Sequence, residues 1–400
     1  MHYERFSAGE SRLGEAVSHR RRRISALSAE PDRDVSLGEV IIPRLWTTAA
    51  IALISVLLTA GIAHAKQGDQ HRAVTSKPAV AAHRMPKPRS WVSSAVAVVL
   101  RTGAFPGATE ASLLLDEPLD QAMLQTLLTA AFPAGAKRTR QLPAGQAVTV
   151  GDVDAAFVLA AGLEDTATRA QQLINAAGYV ARPGVGTEIV ARLLRLRTNL
   201  AQGDDLKEHA WYQQATRSDA IWSAAQAIGW GGWEQPAASD AVELLGQLPP
   251  TTGPQHAAIQ RAFDFIGMPY VWGGTSERPQ ILFGANTSGG FDCSGFTWRV
   301  LALDATSPKA AAKAFGGRTT FEMAAKAKPA QRLAATEVLP ADILLFGPGG
   351  RQASSGSIGH TGMAISSALF IQSSGQGIAL ARWDTGYYQS QFAFGKRILS

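Results

Sequence analysis

The chain contains 400 residues, of which 46% are hydrophobic and 18% charged, so it has enough apolar material for two folded domains joined by linkers. Its formal net charge of +6 suits an anionic partner such as a nucleic acid, a membrane surface or a cell-wall polymer. No basic stripe is interleaved with stacking aromatic residues, and the sequence therefore excludes a nucleic-acid-binding module.

The N-terminal part of the chain has the features of a targeting segment. Residues 1–44 form a basic leader or a cytoplasmic tail, and residues 45–65 contain no Asp, Glu, Lys or Arg. This apolar segment is long enough to span a bilayer, and it ends in Ala63-His64-Ala65, an A-x-A-like cleavage pattern. A signal peptide with a long leader and an uncleaved signal anchor both fit, and a buried core helix is a third interpretation.

Two linkers flank the middle of the chain. Residues 66–90 are polar and basic and contain proline, so we expect a spacer without a core of its own. Its charge could contact an anionic polymer or lipid, and a solvated spacer is the alternative. Residues 248–254 combine helix breakers with small polar residues, which predicts a second domain boundary.

Residues 91–247 have apolar side chains at helical spacing, and we expect a mostly helical accessory domain there. The clearest faces lie within 119–128, 153–159, 189–196 and 221–228. The segments VTVGDVDAAFVLAAGL, GVGTEIVARLLRLRTNL and ATRSDAIWSAAQAIGW also resemble S-layer-homology-like arrays. That resemblance would imply association with the cell wall, and a plain helical domain without a ligand is the alternative.

The C-terminal region, 255–400, contains the one cysteine of the chain, Cys293. A single cysteine excludes disulfide bonds within the chain and a four-cysteine zinc site. Phe296, Val300 and Leu303 follow at helical spacing, so Cys293 is expected at the start of a helix. There the helix dipole and unpaired N–H groups favour a thiolate, the nucleophilic form. Asp292 fits an N-cap, and a buried apolar cysteine is the alternative to a catalytic one.

One histidine, His360, follows Cys293. Short apolar segments at 343–346, 363–365, 369–371 and 378–381 are separated by Pro, Gly and Ser, which predicts an antiparallel sheet. A histidine that opens a strand can face a helix N-terminus across a cleft. An isolated histidine is more often structural, but its pairing with the sole cysteine favours a general base.

Four motifs together resemble the NlpC-type family of papain-like cell-wall cysteine peptidases: PYVWGG, GGFDCSG, the PADILLF segment at 340–346 and the GHTG segment at 359–362. The resemblance implies an α+β papain-like fold over 255–400, with the cysteine at a helix N-terminus and the histidine on an antiparallel sheet. It also implies hydrolysis of amide bonds in peptidoglycan stem peptides, commonly next to D-glutamate, without a metal or another cofactor. We therefore expect an exported protein in the cell envelope, either anchored to the membrane or secreted to the wall.

The same resemblance implies roles for individual residues. Cys293 and His360 would be the nucleophile and the base, and Gln372 would orient the base at a position where His or Asn is more usual. The substrate-binding residues would be Tyr270, Asp292 and Ser294, with Tyr270 beside the thiolate.

Three departures from the family pattern lie away from the cysteine and the histidine. The loop from Thr275 to Gly289 is longer than usual, Met323 stands where Gln is frequent, and Ala341 stands where Gly is common. They would alter the rim of the cleft and hence its specificity.

Two other functions remain open from the sequence. One is a catalytically silent wall-binding or divisome scaffold, and the other is an amidase or acyltransferase that uses the same Cys–His dyad. A silent scaffold would usually lose the cysteine or the histidine, and both are present. The sequence contains no phosphate loop, dinucleotide fingerprint or metal cluster, and it does not identify protein partners.

Overall fold

The computed structural model describes residues 91–138, 142–143, 145–197, 208–303 and 309–399. The predicted tail at 1–44, the apolar segment at 45–65 and the basic linker at 66–90 lie outside these residues, so their interpretations stay predictions. No helix within the described part of the chain is long and apolar enough to cross a membrane.

The middle region is helical, as its periodicity predicts. Its helices are α1 (Ser93–Arg101), α2 (Gln121–Ala131), α3 (Val150–Ala160), α4 (Glu164–Ala176), α5 (Val185–Leu193), α6 (Arg217–Ile228) and α7 (Glu234–Glu243). The four apolar faces expected from the sequence correspond to α2, α3, α5 and α6. The resemblance of this region to S-layer-homology-like arrays stays a prediction.

Capping boxes mark where two of these helices begin. Thr149 and Asp152 form a reciprocal capping box at the start of α3, and Thr216 and Asp219 repeat it at α6. Each box satisfies backbone N–H groups that the first helical turn leaves without a partner. The apolar residues that follow, such as Phe157 and Ile221, are fully buried.

The C-terminal region begins with α8 (Gly253–Asp264), which has a Pro in its first turn and a capping box between Thr252 and Gln255. Four short strands come next and pair as β1 (Thr275–Ser276) with β4 (Gly290–Phe291), and β2 (Gln280–Leu282) with β3 (Ala285–Thr287). The remaining helices are α9 (Cys293–Trp298), α10 (Lys309–Phe315), α11 (Thr320–Ala325) and α12 (Gly386–Gln391).

A five-stranded antiparallel sheet forms the centre of this region. Its strands are β5 (Ile343–Phe346), β6 (His360–Ala364), β7 (Leu369–Ser374), β8 (Gly377–Arg382) and β9 (Phe392–Lys396), in the order β8-β7-β6-β5-β9. The four apolar segments expected from the sequence are strands β5 to β8. Apolar residues are buried on both faces of the sheet, because Met363 and Ile371 belong to the main core and Phe346 and Phe370 to a second cluster.

The helical region packs directly against the C-terminal region. Gln260 of α8 forms hydrogen bonds of 2.8 and 2.9 Å with the backbone N–H and carbonyl of Val180. Arg182 donates to the carbonyl of Ile266 at 2.8 Å. The buried side chains of both regions belong to one continuous core. The division at 248–254 into separate domains stays a prediction.

Candidate active site

Cys293 is the first residue of α9, as the spacing of the following apolar residues predicts. Asp292 is the N-cap, and its Oδ1 accepts the N–H of Gly295 at 2.5 Å. The helix start lies close to the backbone of the PYVWGG segment: a Cβ added at Gly295 would be 1.9 Å from the carbonyl oxygen of Gly274. A residue without a side chain is therefore required at position 295.

The carboxylate of Asp292 is bound on both oxygens. Arg318 donates from Nη1 to Oδ1 at 3.0 Å and from Nη2 to Oδ2 at 2.8 Å. Ser294 Oγ donates to Oδ1 at 2.9 Å, and the N–H of Gly273 donates to Oδ2 at 3.0 Å. Arg318 also donates to Ser294 Oγ and to the carbonyl of Gly274. This network fixes the residue before the thiol to two separate segments of the chain.

Sequence reasoning did not identify Arg318. It precedes α11 and lies far from Cys293 along the chain, and no spacing rule connects the two. The adjacent Thr319–Glu322 capping box predicts a helix start at that point, but not the direction of the arginine side chain.

A cleft of about 670 Å³ opens at the start of α9. The sequence-predicted residues that line it are Tyr270, Asp292, Cys293, Ser294 and His360. Arg318, Trp272 and Phe321 also contribute to its walls, and the last two are about half exposed. The structure thus brings five of the six predicted site residues to one cavity, and the sixth, Gln372, contacts His360.

His360 is the first residue of β6. Its Nε2 is 2.5 Å from Oε1 of Gln372, which is almost fully buried on β7. An amide oxygen can only accept a hydrogen bond, so Nε2 carries the proton and Nδ1 is the nitrogen with a free lone pair. On β6, Gly362 is the strand partner of Gln372. A Cβ added at Gly362 would be 2.6 Å from the ring of Phe370.

Tyr388 of α12 is a second contact of Gln372 that sequence reasoning missed. Its hydroxyl donates to the same Oε1 at 2.8 Å. Its ring centroid is 5.8 Å from that of His360 and 4.9 Å from that of Phe370. Histidine, glutamine and tyrosine therefore form a connected polar group inside an apolar surround.

Burial favours the neutral forms of the Cys293 thiol and the His360 imidazole. It raises the pKa of the Cys293 thiol to about 12, with a further increase from the negative charge of Asp292. The backbone N–H groups of Thr361 and Ser294 and the positive charge of Arg318 oppose that increase. Burial also lowers the pKa of His360 to about 4, and the hydrogen bond that His360 donates to Gln372 opposes that decrease. The resting pair is a thiol and an imidazole, which differs from the thiolate expected from the helix dipole alone.

Comparison with known proteins finds relatives of part of this chain. Residues 267–397 match the sequence model of the NlpC/P60 family. The murein DD-endopeptidase MepH of Escherichia coli K12 is 29% identical over 147 residues, which cover 36% of this chain and 45% of MepH. The chain thus spans less than half the length of this curated relative.

Solved structures found to be similar to this chain include an NlpC/P60 family protein from Bacillus cereus ATCC 10987, at 20% identity and a TM-score of 0.29 over 38% of this chain and 42% of that one. Another is the NlpC/p60 domain of the peptidoglycan hydrolase SagA, at 21% identity and a TM-score of 0.26 over 36% of this chain and 97% of that one. The match of residues 267–397 to the NlpC/P60 family model confirms the resemblance seen in the motifs of that region.

Proposed function

We propose that this protein is an exported cysteine peptidase that hydrolyses amide bonds in peptidoglycan stem peptides, with Cys293 as nucleophile and His360 as base. The observation that carries the proposal is the cleft that contains both residues, with the thiol at a helix start and the imidazole held by Gln372. The NlpC/P60 match and the name of the relative MepH, a murein endopeptidase, support the substrate class.

The neutral resting pair determines the order of the proton transfers. As Sγ of Cys293 attacks the amide carbonyl carbon, its proton moves to Nδ1 of His360. The imidazolium then donates that proton to the nitrogen of the leaving amine, and the C–N bond breaks to give a thioester. A water molecule attacks the thioester carbonyl carbon while His360 accepts its proton. The C–S bond then breaks, His360 returns the proton to Sγ of Cys293, and the acyl part leaves as a carboxylic acid. Gln372 accepts from Nε2–H throughout, and so stabilises the imidazolium without adding charge.

We assign substrate binding to Tyr270, Asp292 and Ser294 on the wall of the cleft. Asp292 and Ser294 are already bonded to Arg318, so the substrate would meet a fixed group of charged and polar atoms there. Such a group can orient a peptide with little cost of ordering side chains. We expect no metal or other cofactor in this reaction.

Location and further partners are proposals of the same kind. The apolar segment at 45–65 supports export and either a membrane-anchored or a secreted protein in the envelope. The basic linker and the net charge of +6 support contact with an anionic wall polymer or membrane surface.

The test is digestion of purified peptidoglycan by the full-length chain, with the released fragments identified by mass spectrometry. A peptidase releases shortened stem peptides, and the Cys293→Ala variant releases none. An amidase would instead release whole stem peptides from the sugar, and an acyltransferase would yield new cross-links. Binding to peptidoglycan with no fragment released by the folded parent protein would favour the silent scaffold.

A further inference from the structure

We propose that Tyr388 is a positioning residue for the base: its hydroxyl holds the Gln372 amide with the oxygen toward His360, which keeps the free lone pair of the imidazole on Nδ1. This inference rests on the proposed Cys–His chemistry and adds a residue that no sequence motif marks.

The need for such a residue follows from the chemistry of an amide. A primary amide can rotate by 180° and exchange its oxygen for its NH₂ group, at little change in shape. With the oxygen toward His360, Nε2 carries the proton and Nδ1 can accept one. With NH₂ toward His360, Nε2 must accept and the ring proton moves to Nδ1. The second arrangement removes the base that the thiol needs.

Tyr388 discriminates between the two arrangements. Its hydroxyl lies 2.8 Å from Oε1 of Gln372, and the same oxygen lies 2.5 Å from Nε2 of His360. A carbonyl oxygen has two lone pairs, so it can accept both bonds at once. A flipped amide would present NH₂ to the phenol and leave the buried phenolic proton without an acceptor. Leaving a buried donor unsatisfied is unfavourable, so the phenol favours the productive orientation.

The tyrosine ring is itself held in place. It packs edge-on against Phe346 and Phe370, with centroids 5.3 and 4.9 Å away, inside the second apolar cluster of the sheet. Phe346 is also the strand partner of His360. These contacts hold the ring while its hydroxyl donates to the amide oxygen of Gln372.

The phenol remains a donor over the whole pH range of interest. Burial raises the pKa of Tyr388 to about 12, and the hydrogen bond to Gln372 opposes that increase. The other charged or titratable groups that act on it are Tyr387 and Cys293, which raise its pKa, and Arg195, which lowers it. None of these removes the phenolic proton near neutral pH.

A contact at the end of the side chain matters more for Gln372 than it would for an asparagine. Its side chain has one more rotatable bond than asparagine, so more rotamer freedom must be restricted to fix the terminal amide. The backbone of β7 fixes the start of that side chain, and the hydroxyl of Tyr388 fixes its end.

The experiment compares Tyr388→Phe with the matched control Tyr387→Phe in the full-length chain. Tyr387 is adjacent and 66% exposed, and its substitution removes a hydroxyl outside the site. For Tyr388→Phe we expect kcat for stem-peptide release to fall about tenfold at unchanged KM, as the loss of one buried hydrogen bond predicts. Selective ¹⁵N labelling of histidine should show His360 shifting toward the tautomer with the proton on Nδ1. Tyr387→Phe should change neither quantity.

A double-mutant cycle separates amide orientation from any other effect of removing the hydroxyl. A carboxylate accepts through either oxygen, so a Gln372→Glu background has no wrong orientation to exclude. There, Tyr388→Phe should change kcat by less than about twofold, whereas an effect unrelated to amide orientation would persist at its full size. Persistence of the tenfold loss in that background would overturn the inference.

The inference can fail independently of the proposed function. If the parent protein cleaves stem peptides, and Tyr388→Phe retains the parent kcat and the parent tautomer, Tyr388 is not a positioning residue. If the parent cleaves nothing, the proposed function fails. In that case the tautomer of His360 in Tyr388→Phe still decides the inference, because that readout needs no substrate.

Discussion

Arg318 binds both carboxylate oxygens of Asp292, the residue that immediately precedes the reactive thiol. Asp292 is also the N-cap of α9 and the acceptor for Gly273 in the PYVWGG segment. One ion pair therefore connects the segment before α11, the first wall of the cleft and the helix that begins at Cys293. Its positive member also lowers the pKa of Cys293, against the effect of Asp292.

The first prediction concerns this ion pair. Arg318→Met should lower stability by roughly 1–3 kcal/mol, because it leaves a largely buried carboxylate without its charged partner. The larger losses of stability that follow when a fully buried ion pair is broken are not expected, since the Arg318 side chain is 30% exposed. Stem-peptide hydrolysis should also fall, because the pKa of Cys293 rises further. Urea unfolding and initial rates measure the two effects.

Arg351→Met is the matched control, because Arg351 is exposed and lies outside the cleft. It should change stability by less than about 0.5 kcal/mol and leave the rate unchanged. Equal effects from both variants would show that the Asp292–Arg318 pair has no special role.

The second prediction concerns the reacting pair. Cys293→Ala and His360→Ala should each reduce hydrolysis by about 10⁴-fold or more, with the far-UV spectrum unchanged. Gln372→Ala should be milder, because Phe346 still packs near the imidazole. Iodoacetamide should inactivate the parent stoichiometrically, since Cys293 is the sole cysteine of the chain. Parent-level activity in folded Cys293→Ala would exclude the thiol mechanism.

The third prediction is an acid limb that depends on His360. Its pKa is about 4 in the folded protein and 6.5 when unperturbed. The base should therefore remain active well below pH 6, and the rate should fall about tenfold per pH unit below pH 4 as the imidazole is protonated. A rate profile with an acid limb centred near pH 6.5 would contradict the lowered pKa of His360.

Because the pKa of His360 is lower in the folded than in the unfolded chain, His360 makes the stability of the folded protein depend on pH. Between pH 6.5 and 4 the unfolded chain binds a proton at this histidine and the folded chain does not, so stability contributed by this site falls as the pH falls. His360→Gln removes that contribution. Urea unfolding should show the parent losing more stability than the variant between pH 7 and pH 4.

The fourth prediction concerns the turn between β7 and β8. Gly377 has a φ of +72°, and a Cβ there would lie 2.3 Å from the carbonyl oxygen of Met268 and 2.8 Å from Arg192 of the helical region. Gly377→Ala should lower stability by several kcal/mol and reduce activity, because the turn follows the strand that carries Gln372. Gly349→Ala is the control, since Gly349 has a φ of +86° but open space. Gly349→Ala should lower stability by only about 1 kcal/mol, because alanine disfavours a left-handed backbone conformation.

Local patterns in the sequence predict most of the sheet and the start of α9. Strands β5 to β8 are short apolar runs bounded by turn residues, and the helix at Cys293 follows from three apolar residues at helical spacing. Strand β9 and helix α12 were not predicted. The six residues of α12 are mostly polar and too few for a helical period to emerge, and β9 is defined by its pairing with β5.

Residues of the candidate site that lie in a sequence motif could be predicted. Residues that reach the site only because of the fold could not. Cys293, His360 and Gln372 lie in recognisable segments, whereas Arg318 and Tyr388 reach the site from segments without such a pattern. The protonation state of the thiol also depends on the fold. A helix start favours a thiolate, but the removal of water and the adjacent Asp292 act more strongly in the opposite direction.

Val180 contacts α8, and Arg182 contacts Ile266. These contacts affect how long the protein stays folded. Because the helical region and the sheet share one core, heat or denaturant should unfold them in one cooperative transition. The resistance of the cleft to proteolysis is then set partly by residues in α5 and α6, far from the chemistry. Substitutions in those helices can change how long each molecule stays folded without altering the rate of any proposed catalytic step.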